Sequence, residues 1–160
     1  MMRNKVFEVR KAAIGDIPEI HQITKEAFEK YMELAGLKKK VAALEENYGD
    51  IKKDIETKEV FIAFLDGIPV GSARIEMFPD QTAYLTRFGV RPDYQNHGIG
   101  KALMNAVDVT IKQMGVKKLF LHTASKAAPL VRFYYGRGFY VDSVTKNRGY
   151  IRALLCKDYS

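Results

Sequence analysis

The most informative stretch of this chain is Val90-Arg91-Pro92-Asp93-Tyr94-Gln95-Asn96-His97-Gly98-Ile99-Gly100-Lys101. It joins an extended run, residues 84–90, to a long helical pattern that begins at Ile99. A polar, glycine-punctuated turn at the start of a helix presents several unpaired backbone N–H groups in one direction, and the helix dipole adds positive potential there. Gly98 and Gly100 lack a Cβ, so a ligand can approach the main chain closely. The stretch therefore predicts a phosphate-binding turn.

The composition is that of one ordinary globular domain. The chain has 160 residues, of which 47% are hydrophobic and 28% charged, and we expect residues 1–160 to form a single domain. No apolar run reaches the roughly 18 residues of a membrane-spanning helix, so no membrane partner is expected. The one cysteine, Cys156, lies in an apolar run, which favours a packed core residue and a reducing, cytoplasmic location.

The net charge of +7 attracts anions in general, including nucleic acid and phosphorylated cofactors. The lysines are scattered and mixed with acids, as at 38–40, 52–53 and 117–118. None of these runs alternates with aromatic residues as a groove for single-stranded nucleic acid would. A solvated surface is the favoured interpretation, and no nucleic-acid partner is predicted.

Alternating or continuous apolar runs predict seven strands. They cover about residues 7–10, 60–65, 68–76, 82–90, 119–123, 139–141 and 150–155. Asp66-Gly67 separates the second and third of these runs and is typical of a type I′ hairpin turn. The last run, Tyr150 to Cys156, could end the sheet within one subunit or pair across a homodimer, so a monomer and a homodimer both stay open.

Three- and four-residue spacing of apolar residues predicts four helices. The first begins after Asp16 as a cap, with Pro18 in its first turn, and the second covers about Lys38 to Thr57 with a bend or break at Gly49. The third buries one face and ends before Gly115, and the fourth covers about 129–135. The predicted buried face of the third helix consists of Ile99, Leu103, Val107, Ile111 and Met114.

Two motifs in this setting resemble those of the GCN5-related N-acetyltransferase (GNAT) family. The family's Q/R-x-x-G-x-G/A signature stands here as Gln95-Asn96-His97-Gly98-Ile99-Gly100, after a strand that ends in valine and x-Pro. Its second signature, tyrosine followed after three residues by Gly-Phe, stands as Tyr134-Tyr135-Gly136-Arg137-Gly138-Phe139. The resemblance covers about residues 7–156. It implies a single-domain α+β fold with a mixed, mostly antiparallel sheet in the order β-α-α-β-β-β-α-β-α-β-β.

The resemblance also implies an activity, the transfer of the acetyl group of acetyl-CoA directly to a primary amine, with no metal. Backbone amides of the turn would bind the CoA pyrophosphate, and the strand before it would splay from its neighbour and pair with the pantetheine arm. Tyr134 would protonate the departing thiolate, as a general acid near the sulfur should. The implied cosubstrate-binding residues are Phe88, Gly89, Val90, Gln95, Asn96, His97, Gly98, Ile99, Gly100 and Lys101.

Some residues leave alternatives open. Many family members carry asparagine seven residues before the tyrosine, where this chain has Ala127; Ser125 or Lys126 would have to replace that contact. His97 is expected to contribute its backbone N–H and no catalytic ring. Tyr135 competes with Tyr134 for the acid role if the register differs by one, whereas Phe139 is expected to pack in the core.

The general base and the acceptor are the least determined features. Glu76, His122 or an ordered water could take the amine's proton. The acceptor side should include Phe28, Tyr31, Met32, Phe78 and Tyr84, with Glu29 and Glu33 nearby, which would suit an amphipathic or polyamine-like amine. A small amine is favoured slightly over a protein lysine or N-terminus. Two other functions compete: a non-catalytic acyl-CoA binding or sensing module, and, less favoured, a basic nucleic-acid binder.

Overall fold

A computed structural model describes residues 5–160. The chain order of helices and strands is the predicted one. The elements are β1 (Phe7–Lys11), α1 (Ile17–Ala35), α2 (Tyr48–Thr57), β2 (Glu59–Leu65), β3 (Ile68–Met77), β4 (Thr82–Val90), α3 (Ile99–Gln113), β5 (Lys118–Ala124), α4 (Ala128–Gly136), β6 (Tyr140–Thr145) and β7 (Arg152–Asp158), with single 3₁₀ turns at Ile14–Asp16, Ala42–Leu44 and Pro92–Tyr94.

The seven strands form one sheet in the order β1-β2-β3-β4-β5-β7-β6. Every neighbouring pair is antiparallel except β4 and β5, which are parallel. The β2–β3 hairpin turns through Asp66 and Gly67, whose φ angles of 51° and 80° are those of the predicted type I′ turn. β7 pairs within the chain on both sides, so the run from Tyr150 to Cys156 contributes an internal strand.

Helices cover the two faces of the sheet unequally. α3 and α4 pack on one face, where residues such as Leu103, Val107 and Leu121 form the largest buried cluster. On the other face, Ile20 and Ile23 of α1 and Ile51 of α2 pack against β2. On that face α1 contacts β3 and β4, and α2 contacts β2. α1 also meets β5 at the last residue of that strand, Ala124, which packs against Ala35.

The second predicted helix is wrong in its first half. Residues 38–47 form a loop with the 3₁₀ turn at Ala42–Leu44, and α2 starts only at Tyr48. Asn47 and Asp50 cause this late start, because the Asn47 side chain accepts from the Asp50 N–H and the Asp50 carboxylate accepts from the Asn47 N–H. Gly49 therefore lies in the first turn of α2 and does not bend a longer helix.

Two further local predictions are corrected. Asp16 precedes α1 but makes no side-chain cap to it; its carboxylate accepts instead from Arg10 and from the Ala13 N–H. Met114 does not belong to the buried face of α3, because it lies beyond the last helical residue and is 49% exposed. Pro18 in the first turn of α1 is confirmed.

The predictions that Cys156 and Phe139 are buried in the core are confirmed. Cys156 is a free, buried thiol, and Phe139 belongs to the core cluster. Among residues 5–160, no helix combines the length and apolar character needed to cross a membrane.

Candidate functional site

The turn before α3 has the geometry of an anion site. Asn96 and Gly98 both take positive φ angles, 66° and 89°, which glycine adopts without strain and asparagine tolerates better than most residues. Within the described chain no acceptor takes the N–H groups of Gly98, Ile99, Gly100 or Lys101; the first helical bond is Ala102 N–H to Gly98 O. Four donors therefore remain free at the positive end of the α3 dipole.

β4 leaves β5 well before it reaches this turn. The two strands pair only through Thr82, Ala83 and Tyr84. On its other side β4 stays paired with β3, with a β-bulge where Arg87 takes a φ of 53°. Because the Arg91 N–H donates to Val70 O of β3, the alternation of the strand points the Val90 N–H to the open, β5 side. The predicted splay of these strands is present.

A cavity of about 320 Å³ lies where the splayed strand and the turn meet. Its walls come from the second half of α1, the end of β4, the turn and the start of α4. All of the predicted cosubstrate-binding residues line it except His97; they are Phe88, Gly89, Val90, Gln95, Asn96, Gly98, Ile99, Gly100 and Lys101. Lys30 of α1 and Phe133 of α4 also line the cavity, and the motifs did not single them out.

Gly89 sets how closely α1 approaches β4. A Cβ at this position would lie 2.7 Å from the Ala27 Cβ, closer than two carbon atoms can pack. The glycine is therefore required by this contact with α1 and not by its backbone conformation. The contact fixes one wall of the cavity against the end of β4.

Tyr134 lies next to the cavity without lining it. Its ring is buried among Phe88, Phe133 and Phe139, with centroid distances of 6.0, 5.5 and 5.6 Å. Burial raises its pKa far above the usual range, so the hydroxyl stays protonated at neutral pH. Tyr135, the alternative by one residue, is 50% exposed and does not line the cavity.

The residues weighed as replacements for the usual asparagine also lie apart from the cavity. Ala127 is fully buried in a small cluster with Ala35 and Ala124. Ser125 and Lys126 are exposed, and neither lines the cavity. His97 places its Nδ1 2.7 Å from the Lys5 Nζ at the surface, so its ring faces away from the cavity walls.

A tyrosine–histidine pair occupies the other face of the sheet, at the base of the splay. The Tyr84 hydroxyl and His122 Nδ1 share a short hydrogen bond. The pKa of His122 is lowered, mainly by burial and then by the charges of Arg152 and Arg148, so its imidazole is neutral at neutral pH. Burial raises the pKa of Tyr84. His122 was predicted as a candidate base; its partnership with Tyr84 was not predicted.

The other candidate base is already engaged. Glu76 lies opposite Tyr84 in the sheet, but its carboxylate is 3.6 Å from the Lys58 Nζ.

Tyr31 of α1 contacts the far side of the splay, because its hydroxyl accepts a hydrogen bond from the Ala124 N–H at the end of β5. α1 is thereby fastened to the strand on the far side of the splay. No cluster of three or more His, Cys, Asp or Glu side chains in residues 5–160 is placed to hold a metal ion.

Curated relatives with acetyltransferase names match this chain. The amino-acid acetyltransferase of Mannheimia succiniciproducens is 27% identical over 143 residues, which is 86% of this chain and 28% of that protein. The amino-acid acetyltransferase of Pasteurella multocida is 30% identical over 87 residues, 54% of this chain and 19% of that protein. The chain thus spans less than a third of the length of these relatives.

Solved structures share the fold at low sequence identity. The PaiA N-acetyltransferase of Thermoplasma acidophilum, solved in complex with coenzyme A, superposes with a TM-score of 0.84 at 21% identity, covering 96% of this chain and 99% of that one. The ribosomal-protein-S18-alanine N-acetyltransferase of Escherichia coli gives a TM-score of 0.78 at 18% identity, covering 97% and 95%. The sequence profile of the acetyltransferase (GNAT) family matches residues 17–139. The chain belongs to that family.

Proposed function

We propose that this protein is an N-acetyltransferase that moves the acetyl group of acetyl-CoA directly to a primary amine. The observation that carries the proposal is the cavity at the end of β4, where a free strand edge meets four unpaired N–H groups of a helix start. The first feature suits an extended chain of amides and the second suits a pyrophosphate. One ligand that carries both groups in sequence is coenzyme A.

The residues present fit this cosubstrate. The N–H groups from Gly98 to Lys101 bind the pyrophosphate, and the open edge of β4 at Phe88 and Val90 pairs with the pantetheine amides. Acetyl-CoA supplies the acetyl group as a thioester. The Val90 N–H points into the splay, where it polarises a carbonyl oxygen and stabilises negative charge that develops there.

Tyr134 acts as the general acid in this proposal. Its burial keeps the proton on the hydroxyl, and its ring packs on Phe88, which lines the cavity. As the new C–N bond forms and the C–S bond breaks, the Tyr134 hydroxyl gives its proton to the sulfur. A thiolate would otherwise leave into an apolar wall, which is unfavourable for a charge.

The Tyr84–His122 pair acts as the base. A primary amine is mostly protonated at neutral pH and must lose a proton before it attacks. In our proposal its proton passes to the Tyr84 oxygen while the Tyr84 hydroxyl proton moves to His122 Nδ1. The hydrogen bond between them already joins the two atoms. The lowered pKa of His122 keeps its imidazole neutral in the resting protein, and in the tautomer protonated at Nε2 its Nδ1 accepts the hydrogen bond from Tyr84.

A small amine is the favoured acceptor over a protein lysine or N-terminus. The family accommodates different acceptors, since the relatives named above carry names for amino acids and for a ribosomal-protein alanine. Tyr84 and His122 are both half-buried side chains, and a compact amine reaches such a pair more readily than a long peptide does.

The test compares the turnover of the wild type with that of a variant that lacks the Tyr134 hydroxyl. Wild type should bind acetyl-CoA by calorimetry and release free CoA thiol when an amine is added. The Tyr134→Phe variant should keep its acetyl-CoA affinity and lose turnover. Binding without turnover for any amine in either protein would indicate the acyl-CoA binding module instead. Absence of acetyl-CoA binding by the wild type would reject both functions.

A further inference from the structure

Two arginines of the β6–β7 hairpin lack a partner of opposite charge. Arg152 begins β7 and Arg148 lies in the turn before it. Among residues 5–160 neither forms an ion pair, and the Arg152 Nε is buried without a hydrogen bond. A buried guanidinium N–H without an acceptor costs free energy, because it has lost water and gained nothing in exchange.

Both arginines face the proposed catalytic pair. In the strand register His122 lies opposite Leu154, and Ala124 lies opposite Arg152, so His122 and Arg152 point to the same face of the sheet. Tyr84 joins that face through its pairing with Phe120. We call this surface, with Tyr84, His122 and Arg152, the open face. The positive charges of Arg148 and Arg152 act on both Tyr84 and His122.

The carboxylates next to the open face, by contrast, are already neutralised. Glu46 binds the fully buried Arg74 at 2.6 Å and Arg87 at 3.3 Å. Asp54 binds Arg74 at 2.9 Å and Lys58 at 3.2 Å.

Other acids are paired or act on other groups. Glu76 pairs with Lys58, and Asp158 with Lys118 at 2.8 Å. Asp142 of β6 acts on Cys156, whereas the charges that act on Tyr84 and His122 all belong to arginines. The unbalanced charge beside the catalytic pair is therefore positive, which disfavours a polyamine and favours an acceptor that is itself an acid.

We infer that the acceptor amine carries an acidic group, a carboxylate or a phosphate, which the guanidinium groups of Arg152 and Arg148 bind while Tyr84 receives the amine. This inference rests on the proposed function and names its substrate class. A planar guanidinium matches the two oxygens of either acid group.

The spacing favours a compact molecule. His122 and Arg152 occupy diagonal positions on neighbouring strands, and residues placed in this way are about 7–8 Å apart. When the side chains on these positions extend toward each other, a molecule whose amine and acid group are separated by only a few bonds spans the remaining distance. Amino acids and small phosphorylated amines both meet this requirement.

Matched acceptors provide the test. Wild type is assayed by CoA thiol release with amino acids against their carboxamides, with phosphoethanolamine against ethanolamine, and with spermidine. The inference predicts that kcat/KM is at least about tenfold higher for the acid of each productive pair, the equivalent of about 1.4 kcal/mol. The pair of acceptors that shows turnover identifies the acidic group as a carboxylate or as a phosphate. Equal rates within the pairs, or preference for spermidine, would overturn the inference.

Variants separate binding from folding. Arg148→Gln changes an exposed turn residue, and Arg152→Gln removes the guanidinium at the start of β7. Each should raise KM for the acid more than KM for its neutral partner, so that the preference for the acid falls. Arg152→Lys should restore part of the loss because it restores the charge. Lys112→Gln, on the opposite face in α3, is the charge-matched control and should change neither. Equal loss for acid and neutral acceptors would contradict the proposed contact.

The inference and the proposed function fail in different ways. If no amine is acetylated by a protein that binds acetyl-CoA, the proposed function fails. If neutral or cationic amines are acetylated as fast as acids, the function stands and the acid subsite alone is rejected.

Discussion

The two sides of the proposed site are built in opposite ways. The cofactor side, β4 from Phe88 to Val90 and the turn from Gln95 to Lys101, comes from one continuous segment and acts mainly through its backbone. The open face takes Tyr84, His122 and Arg152 from three strands and acts through side chains. A site built from backbone groups depends on local conformation, so a sequence motif can predict it. The open face depends on the register of strands that are distant in sequence.

This difference predicts that changes on the cofactor side alter every reaction, whereas changes on the open face alter the choice of acceptor. Tyr134, the proposed acid, should show the largest effect. Tyr134→Phe keeps the packing against Phe88 and Phe139 but removes the proton donor, so kcat should fall by about 10²–10⁴-fold. Steady-state CoA release measures this. Tyr135→Phe is the matched control, and an equal loss there would transfer the role to Tyr135.

The buried ion network should dominate stability on the α2 side. Arg74 is fully buried between Glu46 and Asp54, so Arg74→Met removes the buried cation that these two carboxylates share. The free energy of unfolding should fall by about 3–5 kcal/mol, measured by urea denaturation. Lys118→Met removes the exposed pair with Asp158 and should cost about 0–1 kcal/mol. Similar losses in both variants would show that the network contributes no more than a surface pair.

A single methyl group should disturb the cofactor side. Gly89→Ala places its Cβ 2.7 Å from the Ala27 Cβ and forces α1 away from β4. We expect a loss of about 1–3 kcal/mol in stability together with weaker acetyl-CoA binding, measured by thermal unfolding and calorimetry. Gly15→Ala, which meets open space, is the control. Unchanged affinity in Gly89→Ala would mean that this wall does not shape the cavity.

The smallest effect concerns pH. Burial and the two arginines lower the pKa of His122 below its ordinary 6.5, so the neutral, proton-accepting form persists at neutral pH. The His122-dependent part of kcat/KM should be present at neutral pH and be lost as pH falls through that lowered pKa. His122→Gln should lower kcat/KM at neutral pH and abolish this acidic limb. A pH profile of the same shape in variant and wild type would exclude His122 as the proton acceptor.

Sequence patterns predicted the parts of the molecule that depend on local chemistry. The turn at Asp66-Gly67, the strand 82–90 and the start of α3 at Ile99 were all correct, because glycine geometry and apolar spacing act over a few residues. The helix predicted from Lys38 was wrong in its first half, because the reciprocal bonds of Asn47 and Asp50 outweigh an apolar spacing that continues through Val41 and Leu44.

The side chains of the open face could not be predicted as neighbours from the sequence, because they are far apart along the chain. Tyr84 and His122 are 38 residues apart, and only the parallel register of β4 and β5 brings them together. The unbalanced charge of Arg148 and Arg152 is visible only after every nearby acid has been matched with its partner. The sequence suggested aromatic walls with Glu29 and Glu33 nearby. In the structure Glu33 pairs with Lys30, and the charges that act on Tyr84 and His122 are those of arginines.

Whether the turn before α3 binds the CoA pyrophosphate can be tested by one titration. Calorimetry compares acetyl-CoA with S-acetylpantetheine, which keeps the thioester and the amides but lacks the pyrophosphate and the adenosine 3′-phosphate. Acetyl-CoA should bind at least about tenfold more tightly, a difference of about 1.4 kcal/mol. Equal affinities would mean that the four free N–H groups of α3 contribute nothing to binding and that the turn does not bind pyrophosphate.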